Sequence, residues 1–167
     1  MFVQFFIHKK NVEIFLKSLR PRYEIVAPVK QQGKVNFKVL MNNDKITFDY
    51  VNTQYPPKKF FLPDGETLFK VVKEGKSIRI IVTLEKKKRI IFGIRPCDVN
   101  ALLVLDRLLI KEAKDPYYIA KRKNTLIFAV ECIKPGKNCF CYVFGTEKVT
   151  KGFDLLFTPF KNGFVVR

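Results

Sequence analysis

Four cysteines carry most of the chemistry this sequence offers: Cys97, Cys132, Cys139 and Cys141. The last three crowd into residues 132–141, with Pro135-Gly136 between them. A Pro-Gly pair favours a turn, and thiolates that converge on one centre need a loop folded back on itself. Soft, all-thiolate ligation suits a cubane iron cluster or zinc. The spacing is Cys-x6-Cys-x-Cys with one remote cysteine, unlike the Cys-x2-4-Cys knuckles of structural zinc sites or the Cys-x2-Cys-x2-Cys-x3-Cys run of bacterial ferredoxins. On chemistry alone a [4Fe-4S] cluster is favoured, while zinc and plain buried or redox-active thiols stay open. An intracellular setting argues against a pair of disulfides.

The remote cysteine has to be brought to the other three by the elements around it. Residues 90–94 form a continuous apolar run of strand length, and residues 125–130 form another. Between them, over residues 99–110, Ala101, Leu102, Leu105, Leu108 and Leu109 share one helical face. Asp115-Pro116 opens a second helix by the rule that places a cap before a proline. A strand, a helical crossover of about 30 residues and a second strand make a βαβ unit with parallel strands. Cys97 and Cys132 each follow one of these strands, so both belong at the carboxyl edge of the sheet, where open α/β sheets place their ligands. Asp98 is the expected cap of the crossover helix, whose positive end would favour a thiolate or an anionic cluster at Cys97. Arg95 is positioned to add charge compensation.

Upstream, Val12, Phe15, Leu16 and Leu19 trace an amphipathic helix capped at Asn11 and stopped by Pro21. Extended segments follow at 23–29, 35–40 and 46–50, the last two joined by a turn at 42–44. Residues 66–72 read as a short helix or strand, and 77–89 as a charged hairpin-like stretch. Residues 153–157 and 164–166 form a closing hairpin around Asn162-Gly163. The fold class expected is α/β, with α+β as the alternative. It has a mixed sheet, a βαβ unit in the second half and a β-rich N-terminal part.

The 167 residues are 47% hydrophobic and include 17 Phe, enough for one self-sufficient core over residues 1–167. No apolar run approaches the roughly 18 to 20 residues of a membrane span. Residues 1–7 are apolar and precede His8, Lys9 and Lys10, the reverse of a secretory signal, so the cytoplasm is expected. The net charge of +17 comes from 24 Lys and only 8 Arg. Nucleic-acid readers lean on Arg, so this excess speaks more for a solvated surface or an acidic partner. The clusters at 86–89 and 121–123 are read as solvated. A single histidine, His8, leaves no Ser/His/Asp or Cys/His set, and isolated glycines such as Gly93 and Gly136 fit turns rather than a phosphate loop.

Gly93-Ile94-Arg95-Pro96-Cys97-Asp98, Leu105-Asp106-Arg107, Asp115-Pro116-Tyr117-Tyr118 and the segment 132–141 resemble the family of sulfhydrogenase beta subunits and their iron-sulfur counterparts in anaerobic sulfite reductase. Residues 56–63, Gly145 and Gly152-Phe153-Asp154 share the resemblance, which spans about residues 55 to 160. It implies an electron-transfer subunit, itself non-catalytic, with a [4Fe-4S] cluster on the four cysteines. Its partners would be a flavin-containing subunit that oxidises NAD(P)H and a hydrogenase or sulfite reductase subunit. Members of that family continue into a ferredoxin-like portion with two further cysteine-rich runs, so the chain is expected to be the N-terminal portion of a longer iron-sulfur subunit. The competing expectation is a zinc-stabilised basic domain that binds nucleic acid.

Overall fold

The alternation of apolar runs with helical stretches is realised in a computed structural model that describes residues 4–167; the first three residues of the 1–7 segment lie outside the described residues. The chain enters as β1 (Phe5–His8), turns into α1 (Lys9–Leu19) and returns as the pair β2 (Glu24–Gln31) and β3 (Lys34–Val39). A separate hairpin follows, β4 (Phe69–Glu74) with β5 (Ser77–Val82). Next come β6 (Arg89–Ile94), α2 (Pro96–Leu105), a π-helical continuation over Asp106–Glu112, α3 (Pro116–Lys123) and β7 (Thr125–Val130). The closing hairpin is β8 (Leu155–Phe160) with β9 (Gly163–Val166).

Seven strands form one mixed sheet in the order β1-β9-β8-β7-β6-β2-β3. Its centre, β2, β6, β7 and β8, is parallel, and its flanks are antiparallel. Every residue of β6 is buried, and its apolar run 90–94 lies between two layers of helix, as such a run should. Val12 and Leu16 of α1 pack on one face with Ile90, Phe92, Phe128 and Phe157. Val99, Leu102 and Tyr118 of α2 and α3 pack on the other with Ile91, Ile94, Ile127 and Leu156. This is the α/β architecture expected, and β6 and β7 are adjacent and parallel as the βαβ unit requires.

Several local expectations are corrected. Helix α1 begins at Lys9 with His8 in the cap position, so Asn11 lies inside its first turn. Residues 46–50 are not a strand: Ile46 makes one isolated bridge to Val29, and its N–H goes instead to the Glu13 carboxylate of α1. The turn that matters there is Gln32-Gly33, both at positive φ, which joins β2 directly to β3. Residues 66–72 are an irregular lead-in followed by the start of β4, and 77–89 holds β5, an irregular stretch at 83–88 and the first residue of β6.

Arg89 and Lys121, expected at a solvated surface, are buried. Arg89 pairs with Glu24 and Glu85 at 2.7 Å each, and Lys121 pairs with Glu66, so partners far along the chain compensate each charge. Gly93 sits within β6, not in a turn, at φ +97° and at a register shift between Phe92 and Ile94. The bulge turns Ile94 to the same side of the sheet as Ile91.

Candidate metal centre

Strand β6 ends at Ile94, and the next residue caps α2: Arg95 is extended, Pro96 occupies the first helical position and Cys97 lies in the first turn. Asp98 is therefore not the cap. The cap-then-proline rule that places Asp115 before Pro116 applies here to Arg95-Pro96, and Asp98 instead makes the first turn acidic. Strand β7 ends at Val130, and Cys132 follows it at the same edge of the sheet. The Arg95 guanidinium bridges the two strand ends, donating from Nη1 to the Glu131 carbonyl at 3.1 Å and from Nη2 to the Tyr50 carbonyl. It also stacks on the Tyr50 ring, 4.3 Å from its centroid. Its Nε is buried without a hydrogen-bond partner.

Tyr50 is fixed in turn by Gly93. The tyrosine hydroxyl donates to the Gly93 carbonyl, and a Cβ on Gly93 would lie 3.1 Å from that hydroxyl oxygen. Arg95 and Tyr50 line two clefts, one reaching Cys132 and the other Cys97.

The remaining cysteines lie in the loop after β7. A turn spans Gly136 to Cys139, with the Cys139 N–H bonded to the Gly136 carbonyl at 3.0 Å. It is centred on Lys137-Asn138, two residues beyond the Pro135-Gly136 pair expected to form it. The Gly136 N–H points at Cys139 Sγ, 3.3 Å away, and the Asn52 amide approaches the same sulfur at 3.9 Å. Cys141 opens a short 3-10 turn, Cys141–Phe144, and the Cys141 carbonyl accepts from Thr146 N–H and Oγ1. Asn100 of α2 ties that loop to the helix, its amide donating to the carbonyls of Thr146 at 3.3 Å and Lys148 at 2.9 Å. All four cysteines are free and partly buried.

Burial pushes the Cys97 thiol up to about 11, reinforced by the Asp98 carboxylate, Cys141 and Cys132, against one lowering contact from the Asp98 N–H. The helix end alone thus does not make Cys97 a thiolate, because burial and negative neighbours outweigh it. A cation among these sulfurs would reverse the balance. Asp98 is likewise raised to about 6 by burial, against the pull of Arg95 and Lys58. Among the described residues no three His, Cys, Asp or Glu side chains are close enough to hold a single metal ion. A ready-made tetrahedral site with zinc-sulfur bonds of about 2.3 Å is therefore not formed.

Tyr50, Asn52, Asn100 and Thr146 contact Arg95 or the cysteine-bearing segments and had no sequence signature, since only spatial proximity marks them. His8 is exposed at the far end of β1.

An α/β protein with four free, partly buried cysteines, two of them just past the carboxyl ends of adjacent parallel strands, is the class that fold and site define. Over 161 residues the chain is 29% identical to the sulfhydrogenase 2 subunit beta of Pyrococcus furiosus, covering 96% of this chain and 47% of that protein. The similarity supports the sulfhydrogenase beta-subunit family that the motifs resemble. The chain spans about half the length of that curated relative. No protein-family model matches it, and no solved structure does. Among the described residues no helix is long and apolar enough to cross a membrane.

Proposed function

We propose that this chain is an iron-sulfur electron-transfer component of a hydrogenase, sulfur-reductase or anaerobic sulfite reductase complex, working in the cytoplasm. It holds one [4Fe-4S] cluster through Cys97, Cys132, Cys139 and Cys141. The observation that carries the reading is the adjacency of β6 and β7, which brings Cys97 and Cys132 to one edge of the sheet. The Asn100 clamp, which draws the Cys141 loop towards the head of α2, supports it further.

The donor set suits the group: four thiols, a buried Arg95 Nε without a partner, and backbone N–H groups aimed at sulfur are what a net-anionic thiolate cluster would use. The wider sulfur spacing of a cubane is also compatible with the lack of a tight single-ion site. When bound, a [4Fe-4S] cluster supplies reversible one-electron storage. In this reading the chain's own residues do the rest. Arg95 offsets negative charge and keeps the two strand ends in register. Tyr50 walls the site on one side, and Asn52 and Gly136 orient Cys139. Ile133, Phe140, Tyr142 and Phe144 of the loop are exposed and shape the outer face. Electrons would arrive one at a time from a flavin-containing subunit that oxidises NAD(P)H and leave to a hydrogenase or sulfite reductase subunit.

Anaerobic purification with iron and acid-labile sulfide analysis tests the reading. The expected protein is brown, with the broad visible absorption of iron-thiolate charge transfer. Cys97→Ser should lose most of the bound iron. Arg95→Met should keep the iron but lower the reduction potential, because a compensating positive charge is gone. A colourless protein that holds one zinc sinks the proposal.

A further inference from the structure

The hairpin β4–β5 stands apart from the main sheet and makes no extensive contact with any other strand or helix. Its register pairs Phe69 with Val82, Val71 with Ile80 and Lys73 with Ile78, and directly opposed residues share a face. One face is therefore Phe69, Val71, Ile78, Ile80 and Val82 with a single lysine. Their exposure runs from 52% at Phe69 to 70% at Ile78. The other face carries Lys70, Val72, Glu74, Ser77, Arg79 and Ile81, with Arg79 bound to Glu74. A strand pair with an apolar side normally buries that side against a core, and an isolated two-stranded hairpin is marginal in water.

The base of this arm is nonetheless fixed. On the side leading in, Glu66 pairs with the buried Lys121, and the Tyr117 hydroxyl donates to the Leu68 carbonyl at 2.9 Å. On the side leading out, Glu85 pairs with the buried Arg89 at 2.7 Å. The Thr83 N–H bonds the Leu68 carbonyl at 2.9 Å and closes the base. Both legs are thus bolted to the body by buried cations, while the apolar face points away from it.

We infer that the β4–β5 arm is a docking element that inserts into an apolar cleft with an acidic rim on a different protein chain of the assembly. The inference rests on the reading of this chain as one component of a larger complex. Area and charge select the occupant. Six-residue strands about 20 Å long, paired at about 4.8 Å, offer a footprint on the order of 200 Å². That is well below the roughly 800 Å² per partner of a standard interface. A flat contact is too small, whereas a cleft that encloses the apolar face and both free edges of the arm, with the charged face at its rim, removes more surface from water. Residues 69–82 carry Lys70, Lys73, Lys76 and Arg79 against Glu74 alone, so the rim that receives them is acidic. A second copy is disfavoured by the same charge, since each chain carries +17.

The test places a photo-crosslinking benzophenone amino acid at position 80 of the full chain, expressed with an affinity tag in its own cells. The purified assembly is irradiated and the linked peptides are sequenced. The expected product is one different protein chain of net negative charge, joined at an apolar segment flanked by carboxylates. In binding assays with that purified chain, Ile80→Asp and Val71→Asp should each weaken association by about tenfold or more. Lys76→Glu should weaken it and reduce its salt dependence. Unfolding midpoints of the three variants should match the parent, because the arm adds little to the core. A chain that purifies alone, or that crosslinks to its own copy, to lipid or to nothing, overturns the inference. Iron content measured on the same sample reports separately on the four-cysteine proposal.

Discussion

Replacing Gly93 by alanine couples the core to the candidate site and should be costly for two separable reasons. The residue sits at φ +97°, where a non-glycine backbone costs about 1 to 3 kcal/mol. The added Cβ would also meet Pro28 Cδ at 2.9 Å, Pro28 Cγ at 3.0 Å and Tyr50 Oη at 3.1 Å. Pro28 is a ring within β2 and cannot swing aside, so relief must come from backbone movement between β2 and β6, an overpacking cost of about 1 to 3 kcal/mol. Together these give about 2 to 6 kcal/mol of destabilisation. At about 2 to 4 °C per kcal/mol for a chain of this size, the melting temperature falls by roughly 5 to 20 °C. Gly33→Ala is the matched control, because Gly33 is at φ +77° with nothing within 4 Å of an added Cβ. Urea unfolding of the metal-free Gly93→Ala, Gly33→Ala and parent chains separates the conformational cost from the steric one. Equal losses for the two variants would refute the argument that Pro28 and Tyr50 press on Gly93. In the intact protein the same substitution should displace Tyr50 from the Gly93 carbonyl and loosen its stack with Arg95.

Asp115→Ala should destabilise the chain by about 1 to 2 kcal/mol, because the Asp115 carboxylate accepts from the N–H groups of Tyr117 at 2.9 Å and Tyr118 at 2.8 Å; Asp115→Asn should recover most of the loss in the same urea assay. Stability should also fall on the acid side. Burial raises the Glu24 carboxyl, but its bonds and charge contacts with Arg89 and Lys87 outweigh that and leave it below its ordinary value of 4.5. A carboxyl lowered in the folded state contributes stability above its unfolded value and loses it as pH falls through the folded one, so Glu24→Gln should flatten the decline in melting temperature below about pH 4.5.

What the sequence revealed followed from local rules. The runs at 90–94 and 125–130 are apolar because they are buried on both faces, and Asp115-Pro116 carries its own cap, so strands, helix and parallel pairing could all be read from neighbouring residues. Some caps and turns were misplaced by a few residues, but the larger failures share a partner distant along the chain. Arg89 resembles its lysine neighbours until Glu24 is placed beside it, 65 residues away, and Lys121 does so until Glu66 is, 55 residues away. The same holds for residues 46–50, whose alternating pattern suits a strand. Tyr50 is held instead by Gly93 and Arg95, residues more than 40 positions further on.

The candidate site shows both sides of this division. The parallel pairing that brings Cys97 to the edge where Cys132 lies was legible, because an apolar strand, a helix of crossover length and a second apolar strand leave one arrangement. The position of Cys139 and Cys141 was not, because the turn direction in 132–141 is settled by the Gly136–Cys139 hydrogen bond and the Asn100 clamp, neither of which has a sequence signature. The charge on Cys97 likewise depends on its surroundings. Its helix position argues for a thiolate, yet burial beside Asp98, Cys141 and Cys132 acts more strongly and in the opposite direction. A buried Arg95 Nε without a partner, on the guanidinium that ties together the strand ends leading to Cys97 and Cys132, is a donor that an anionic thiolate cluster would satisfy.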